Sequence, residues 1–177
     1  MFLSLKLING FCLAALLLPV ASLGKSGDAE QSVHVEADAA QLNQATGVGV
    51  YRGQVRITQG SMVLTADKVT LIAPRRKLQK VIAQSDDKGD KSTFRQLTDA
   101  GDVLTAESRH IDYELNKTRV ILFGDAILRR PPDRFAAERI VYRIESEVID
   151  AGGRQSGGRV NMTLVPEDRG ERPAENE

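Results

Sequence analysis

Apolar and polar residues alternate along most of this chain. Val33 and Val35 alternate with His34 and Glu36, and Val48 and Val50 with Gly49 and Tyr51. Val55 and Ile57 alternate with Gln54, Arg56 and Thr58. Met62, Leu64 and Ala66 follow, then Val69 and Leu71 after a change of parity near Asp67-Lys68. The pattern resumes in Ile111, Tyr113 and Leu115, in Val120 and Leu122, in Ile140, Tyr142 and Ile144, and in Val160, Met162 and Leu164. A period of two places each apolar set on one face of a sheet. A parity change beside an Ala-Asp pair predicts a bulge or a corner. No long stretch has clean helical periodicity. Turn signals such as Asn43 to Gly47, Gln59-Gly60, Pro74-Arg75-Arg76, Asp86 to Gly89, Asn116-Lys117 and Pro131-Pro132-Asp133 separate the runs. Many short strands punctuated in this way predict an all-β sandwich, jelly roll or solenoid-like roll.

Two long stretches match each other. Val50 to Ile57, Gln59-Gly60 and Leu64 to Asp67 correspond to Ile121 to Leu128 and Phe135 to Glu138. Gly53 and Gly124 are 71 positions apart, as are Ala66 and Ala137. Short Ala-Asp/Glu elements recur at Glu36-Ala37-Asp38 and Thr105-Ala106-Glu107. The repetition predicts a sheet built from recurring units, with no single catalytic centre.

The N-terminus bears on compartment. Lys6 precedes the apolar run Phe11 to Ala21, and Ser22, Leu23 and Gly24 follow. This is the layout of a secretory leader, and the run falls short of the roughly 20 apolar residues of a membrane span. Residues 1–24 are therefore expected to be cleaved on export, taking the single cysteine, Cys12, with them. Residues 25–31 are expected to form a flexible lead-in, 32–166 one β-domain and 167–177 a disordered tail rich in Pro, Gly and charge. The chain carries 24 basic and 24 acidic residues. That balance lacks the basic excess of a nucleic-acid binder. The absence of Trp and 5% aromatics argue against a stacking platform for sugars or bases.

Candidate chemistry is sparse. His34 and His110 are the only histidines, and both fall on polar sides of alternating strands. No Gly-x-Ser-x-Gly elbow is present, and Ser108-Arg109-His110 lacks nucleophile–base spacing. Asp86 to Asp90 departs from the EF-hand pattern and reads as a solvated turn. No catalytic residue, metal ligand or cofactor is expected. Arg75, Arg76, Lys77 and Lys80 form a small basic cluster. It reads as a charged turn that discourages edge pairing, or as a contact for phosphate groups.

Val50 to Val55, Thr58-Gln59-Gly60 and Leu64 to Val69 resemble the OstA-type domain of the LptA family of lipopolysaccharide-transport proteins. His34 to Asp38, Asp112 to Leu115 and Arg159 to Pro166 share the likeness, which spans about 32–166. One departure is Gly89-Asp90-Lys91, where relatives often carry Gly-x-Pro. The resemblance implies an elongated, twisted antiparallel β-jelly roll, open at both ends, with an apolar channel. It implies a periplasmic, non-enzymatic carrier that passes lipopolysaccharide from an inner-membrane extractor to an outer-membrane translocon, holding the acyl chains of lipid A. The expected inward, lipid-facing residues are Val33, Val35, Val50, Val55, Ile57, Leu71, Phe94, Ile111, Tyr113, Leu115, Leu122 and Tyr142. Val33, Val35, Phe94, Tyr113 and Leu115 match family positions that face the channel.

An open roll leaves its first and last strands unpaired, which allows head-to-tail strand addition. The expected interface residues are Val33, His34, Val35 and Glu36 at one end and Val160, Asn161, Met162, Thr163 and Leu164 at the other. The resemblance implies LptC as partner at the N-terminal edge and the N-terminal domain of LptD at the C-terminal edge, beside self-association. Two other readings fit the same residues: a membrane-anchored LptC-like relative, and a structural β-module with a filled core and no ligand.

Overall fold

The structure, a computed structural model, describes residues 27–86, 89–98, 100–152 and 158–165. The leader, Cys12 and the C-terminal tail lie outside the described residues, as does part of the Asp86 to Asp90 turn. Twelve strands run in chain order: β1 (Val33–Glu36), β2 (Ala39–Asn43), β3 (Val48–Gln59), β4 (Met62–Ile72), β5 (Lys80–Gln84), β6 (Ser92–Leu97), β7 (Val103–Ser108), β8 (His110–Glu114), β9 (Arg119–Arg130), β10 (Asp133–Arg143), β11 (Val148–Ala151) and β12 (Asn161–Thr163). Every pairing is antiparallel.

The four long strands bend in the middle, so each contributes to two layers. One layer runs β2, the first half of β3, the second half of β4, β5, β8, the first half of β9, the second half of β10, then β11. The other runs β1, the second half of β3, the first half of β4, β6, β7, the second half of β9, the first half of β10, then β12. The bends are the register shifts between Arg52 and Val55 and between Ala137 and Arg139. Each is built from two consecutive left-handed residues, Gly53-Gln54 and Gly124-Asp125. With the extra residue β3 keeps one parity through the bend, turning Gly49, Tyr51, Val55 and Ile57 inward, whereas β4 changes parity from Met62, Leu64 and Ala66 to Val69 and Leu71.

Gly53 is required at its corner. Its φ is +79°, and a Cβ there would stand 2.1 Å from Asp38 Oδ2. Gly101, at φ +89°, has open space around it. Gly53→Val should therefore lower unfolding free energy by about 2–4 kcal/mol, against about 1 kcal/mol for Gly101→Ala, in urea titrations. Equal losses would place the constraint at Gly53 in backbone torsion alone.

The 71-residue step is structural. Adding it to β3 and β4 gives the bounds of β9 and β10. The pair Val35–Ile57 becomes Ala106–Leu128, and Ala39–Arg52 becomes His110–Phe123. The short Ala-Asp/Glu elements at 37 and 106 are not equivalent positions, because Ala106 takes the place of Val35. The halves differ at one turn. Val69 pairs with Ala83, whereas its counterpart Ile140 pairs with Ala151, so the turn 144–147 is three residues shorter than 73–79. Where the halves meet, β5 and β6 of the first pair with β8 and β7 of the second.

The core fills the space between the layers. Ile57, Leu64, Val69, Val81, Ile111, Val120, Leu122, Leu128 and Ile140 are inaccessible to solvent. Phe94 of one layer meets Tyr113 of the other edge to face, with ring centroids 5.3 Å apart. The layers join along the row of bends. Along the opposite side two rows of turns face each other across a seam. Backbone bonds knit one rim: Ala73 N to Gly47 O, Leu115 N to Gln79 O and Ile144 N to Thr118 O. On the other rim the described part of the expected flexible lead-in, 27–31, is tied down. Asp28 accepts hydrogen bonds from Ser61 and from Gln96 Nε2, and Gln59 Nε2 donates to Gln31 O.

Candidate functional site

Among the described residues, two cavities open at the N-terminal end of the roll. A cavity of about 810 Å³ sits in the seam. Its floor is Val33, Leu71, Leu78 and Leu115; one rim supplies Glu30, Gln31, Ser32 and Gln59, the other Arg76, Lys77, Gln79 and Asn116. A second cavity, about 740 Å³, opens at the mouth between β1 and β2 and shares Val33, Leu71, Ala73 and Arg76 with the first. Val35, Leu42 and Tyr51 line it. Alternation explains the floor: β1 turns Val33 and Val35 inward and leaves His34 and Glu36 in solvent.

Most of the expected lining residues are packed. Val55, Ile57, Leu71, Phe94, Ile111, Tyr113, Leu122 and Tyr142 all belong to the buried core. Val33, Val35 and Leu115 are half-buried against it. Val50 is a correction. It pairs with Thr70 on the outer face, while its neighbours Gly49 and Tyr51 point inward with Leu71 and Val69. Val50 lies one position off the inward series Gly49, Tyr51, Val55 and Ile57, which keeps a single parity through the bend at Gly53-Gln54. Tyr51 and Leu78 went unread as lining residues. The signal for Tyr51 was its shared parity with Val55 and Ile57; Leu78, one apolar residue in a charged turn, carried none.

Burial pushes the phenol of Tyr113 above its ordinary pKa, with a hydrogen bond to Gln96 opposing and Asp28 adding to the rise. At the end of β8, the carboxyl of Glu114 is held below its ordinary pKa, chiefly by the hydrogen bond from Arg119, while burial opposes. His110 Nε2 lies 2.8 Å from Asp112 Oδ1, and its ring stands edge-on to Phe123 on the outer face. Among the described residues, no three His, Cys, Asp or Glu side chains are placed to hold a metal ion. No helix among them is long and apolar enough to cross a membrane.

The terminal strands are short. β1 spans Val33–Glu36, all four of them expected interface residues, and β12 spans only Asn161–Thr163, with the expected Val160 and Leu164 flanking it. Two further edges went unread: β2 at the N-terminal end and β11 at the C-terminal end. Leu42 on β2 is 62% exposed and Met162 on β12 is 53% exposed.

A two-layer roll of repeated strands, with an apolar interior that opens along one seam and paired edges at both ends, defines the class: an OstA-like β-roll. The profile of the family described as "LptA/(LptD N-terminal domain) LPS transport protein" matches residues 34–148. This chain belongs to that family. It is 30% identical over 179 residues to the lipopolysaccharide export system protein LptA of Escherichia coli, covering 98% of this chain and 94% of that protein. It is 32% identical over 167 residues to the lipopolysaccharide export system protein LptH of Pseudomonas aeruginosa, covering 90% and 93%. The crystal structure of LptH, described as the LptA-homologous periplasmic component of the lipopolysaccharide transport device, superposes with a TM-score of 0.69 at 32% identity, covering 79% of this chain and 99% of that one.

Proposed function

We propose that this protein is a periplasmic lipopolysaccharide carrier, exported by the leader 1–24, which shelters lipid A acyl chains between its two layers. The observation that carries the reading is an apolar interior reached through a seam, in a family defined by lipopolysaccharide transport. An acyl chain of about 12 methylenes loses roughly 10 kcal/mol when exposed to water. A row of Val, Leu and Tyr side chains shelters it without directional bonds that would trap it, while charged sugars stay in water at the seam. Chains that pass Phe94 and Tyr113 must part the layers there, against their edge-to-face contact. The protein moves its cargo and does no chemistry on it.

The edges supply the partners. The junction between the two halves is a template for the junction between two copies. Carrying the β5–β8 and β6–β7 registers onto the free edges pairs Ile149 with Leu42 and Met162 with Val35, then Thr163 with His34. The same edges suit LptC at β1 and β2 and the N-terminal domain of LptD at β11 and β12, because main-chain pairing needs only a related strand.

Photo-crosslinking tests the carrier reading in cells making lipopolysaccharide. A crosslinking residue at Leu115 or Tyr113 should yield a lipopolysaccharide adduct, and one at Asp112 or Val50 should not. A folded protein with no adduct at 113 or 115 would sink the reading.

A further inference from the structure

We propose that the turn Pro74 to Lys77 is an anion subsite, taking a phosphate group of an acylated glycolipid whose chains rest on the floor of the seam cavity. The inference rests on the carrier reading and adds to it where the headgroup is held. Arg76 and Lys77 stand on the rim of the cavity, and Arg75 and Arg76 on that of its neighbour. Arg75 and Arg76 adopt consecutive left-handed conformations, at φ 52° and 64°. Non-glycine residues held that way cost about 1–3 kcal/mol each and gather where function requires them.

The second half of the molecule supplies the contrast. Its counterpart turn, Ile144-Glu145-Ser146-Glu147, lacks three residues and all the positive charge. There Glu147 is tied to Arg130 at 2.8 Å. In the first half, none of Arg75, Arg76 and Lys77 forms an ion pair within the described residues. The longer turn thus adds three cations, none ion-paired within the described residues, to the rims of the two open cavities. Glu30 stands on the opposite rim, so an anion is favoured on the Arg76 side alone. Phosphate fits because its oxygens accept several charge-assisted hydrogen bonds at once. The apolar floor beneath selects a ligand that also carries acyl chains.

The test compares lipid A bearing both phosphates with its dephosphorylated form, each in detergent micelles, and with inorganic phosphate. The wild-type chain should bind the phosphorylated lipid about tenfold more tightly than the dephosphorylated one. The triple variant Arg75→Gln, Arg76→Gln, Lys77→Gln should lose that preference and keep its melting temperature, because the turn is exposed. The charge-keeping variant Arg75→Lys, Arg76→Lys, Lys77→Arg should retain most of it. A triple variant that still prefers the phosphorylated lipid would overturn the subsite and leave the carrier reading standing. Saturable binding of inorganic phosphate that the triple variant abolishes would overturn the glycolipid as occupant. Failure of the wild-type chain to bind either lipid would overturn the carrier reading itself.

Discussion

Tyr113→Asp should cost the fold about 3–5 kcal/mol and abolish lipid capture, while Asp112→Ala should stay within about 1 kcal/mol of the wild type. The two residues are neighbours on β8 and face opposite ways. Tyr113 is 8% exposed and packs on Phe94. A carboxylate there loses its hydration, leaves a void beside Phe94 and sits near Asp28. Asp112 lies on the outer face, 2.7 Å from Lys80 Nζ and 2.8 Å from His110 Nε2. Its loss leaves Lys80 with Glu114 at 3.7 Å. For a domain of this size each kcal/mol shifts the melting temperature by roughly 2–4 °C. Tyr113→Asp should melt about 10 °C or more below wild type, and Asp112→Ala within a few degrees. Equal small shifts would refute the assignment of faces.

The second large effect is on assembly. Met162→Pro should weaken self-association at least tenfold with little change in the melting temperature of the body. Proline removes an N–H from a strand of only three residues at the edge of the roll. The register derived from the internal junction gives a sharper version. In a chain carrying His34→Cys and Thr163→Cys, oxidation should produce a ladder of covalent multimers, because the two positions fall opposite each other on one face. His34→Cys with Met162→Cys should not, since those side chains emerge on opposite faces. The reverse outcome would mean that the copies join in a register other than that of the two halves. Light scattering of Met162→Pro with unchanged concentration dependence would count against edge pairing altogether.

The fold was legible where periodicity is local. Alternation located both long hairpins, β3–β4 and β9–β10, and the parity change at Asp67-Lys68 marked one side of a corner. On β3 Val50 was misread because Val48 and Val50 look continuous with Val55 and Ile57, although the two pairs differ in parity and only the second faces the core. The left-handed pair Gly53-Gln54 gives β3 one residue more than β4 at the corner, so β4 changes parity there and β3 does not. β2 and β11 were illegible for another reason. Ala39–Asn43 and Val148–Ala151 are edge strands with one covered face at most, so burial imposes little pattern on them. The basic turn was visible as charge. Its place on the rim of the open cavity depends on pairings far apart in sequence, including Leu115 N to Gln79 O.

The repeat also fixes a unit of length. Each layer stacks eight strand segments, and neighbouring strands lie about 4.8 Å apart. One copy therefore contributes roughly 38 Å of conduit, and each half roughly 19 Å. A bridge assembled from such copies can span a gap only in whole steps of that size. A wider or narrower envelope must be matched by the number of copies, and never by stretching the strands themselves.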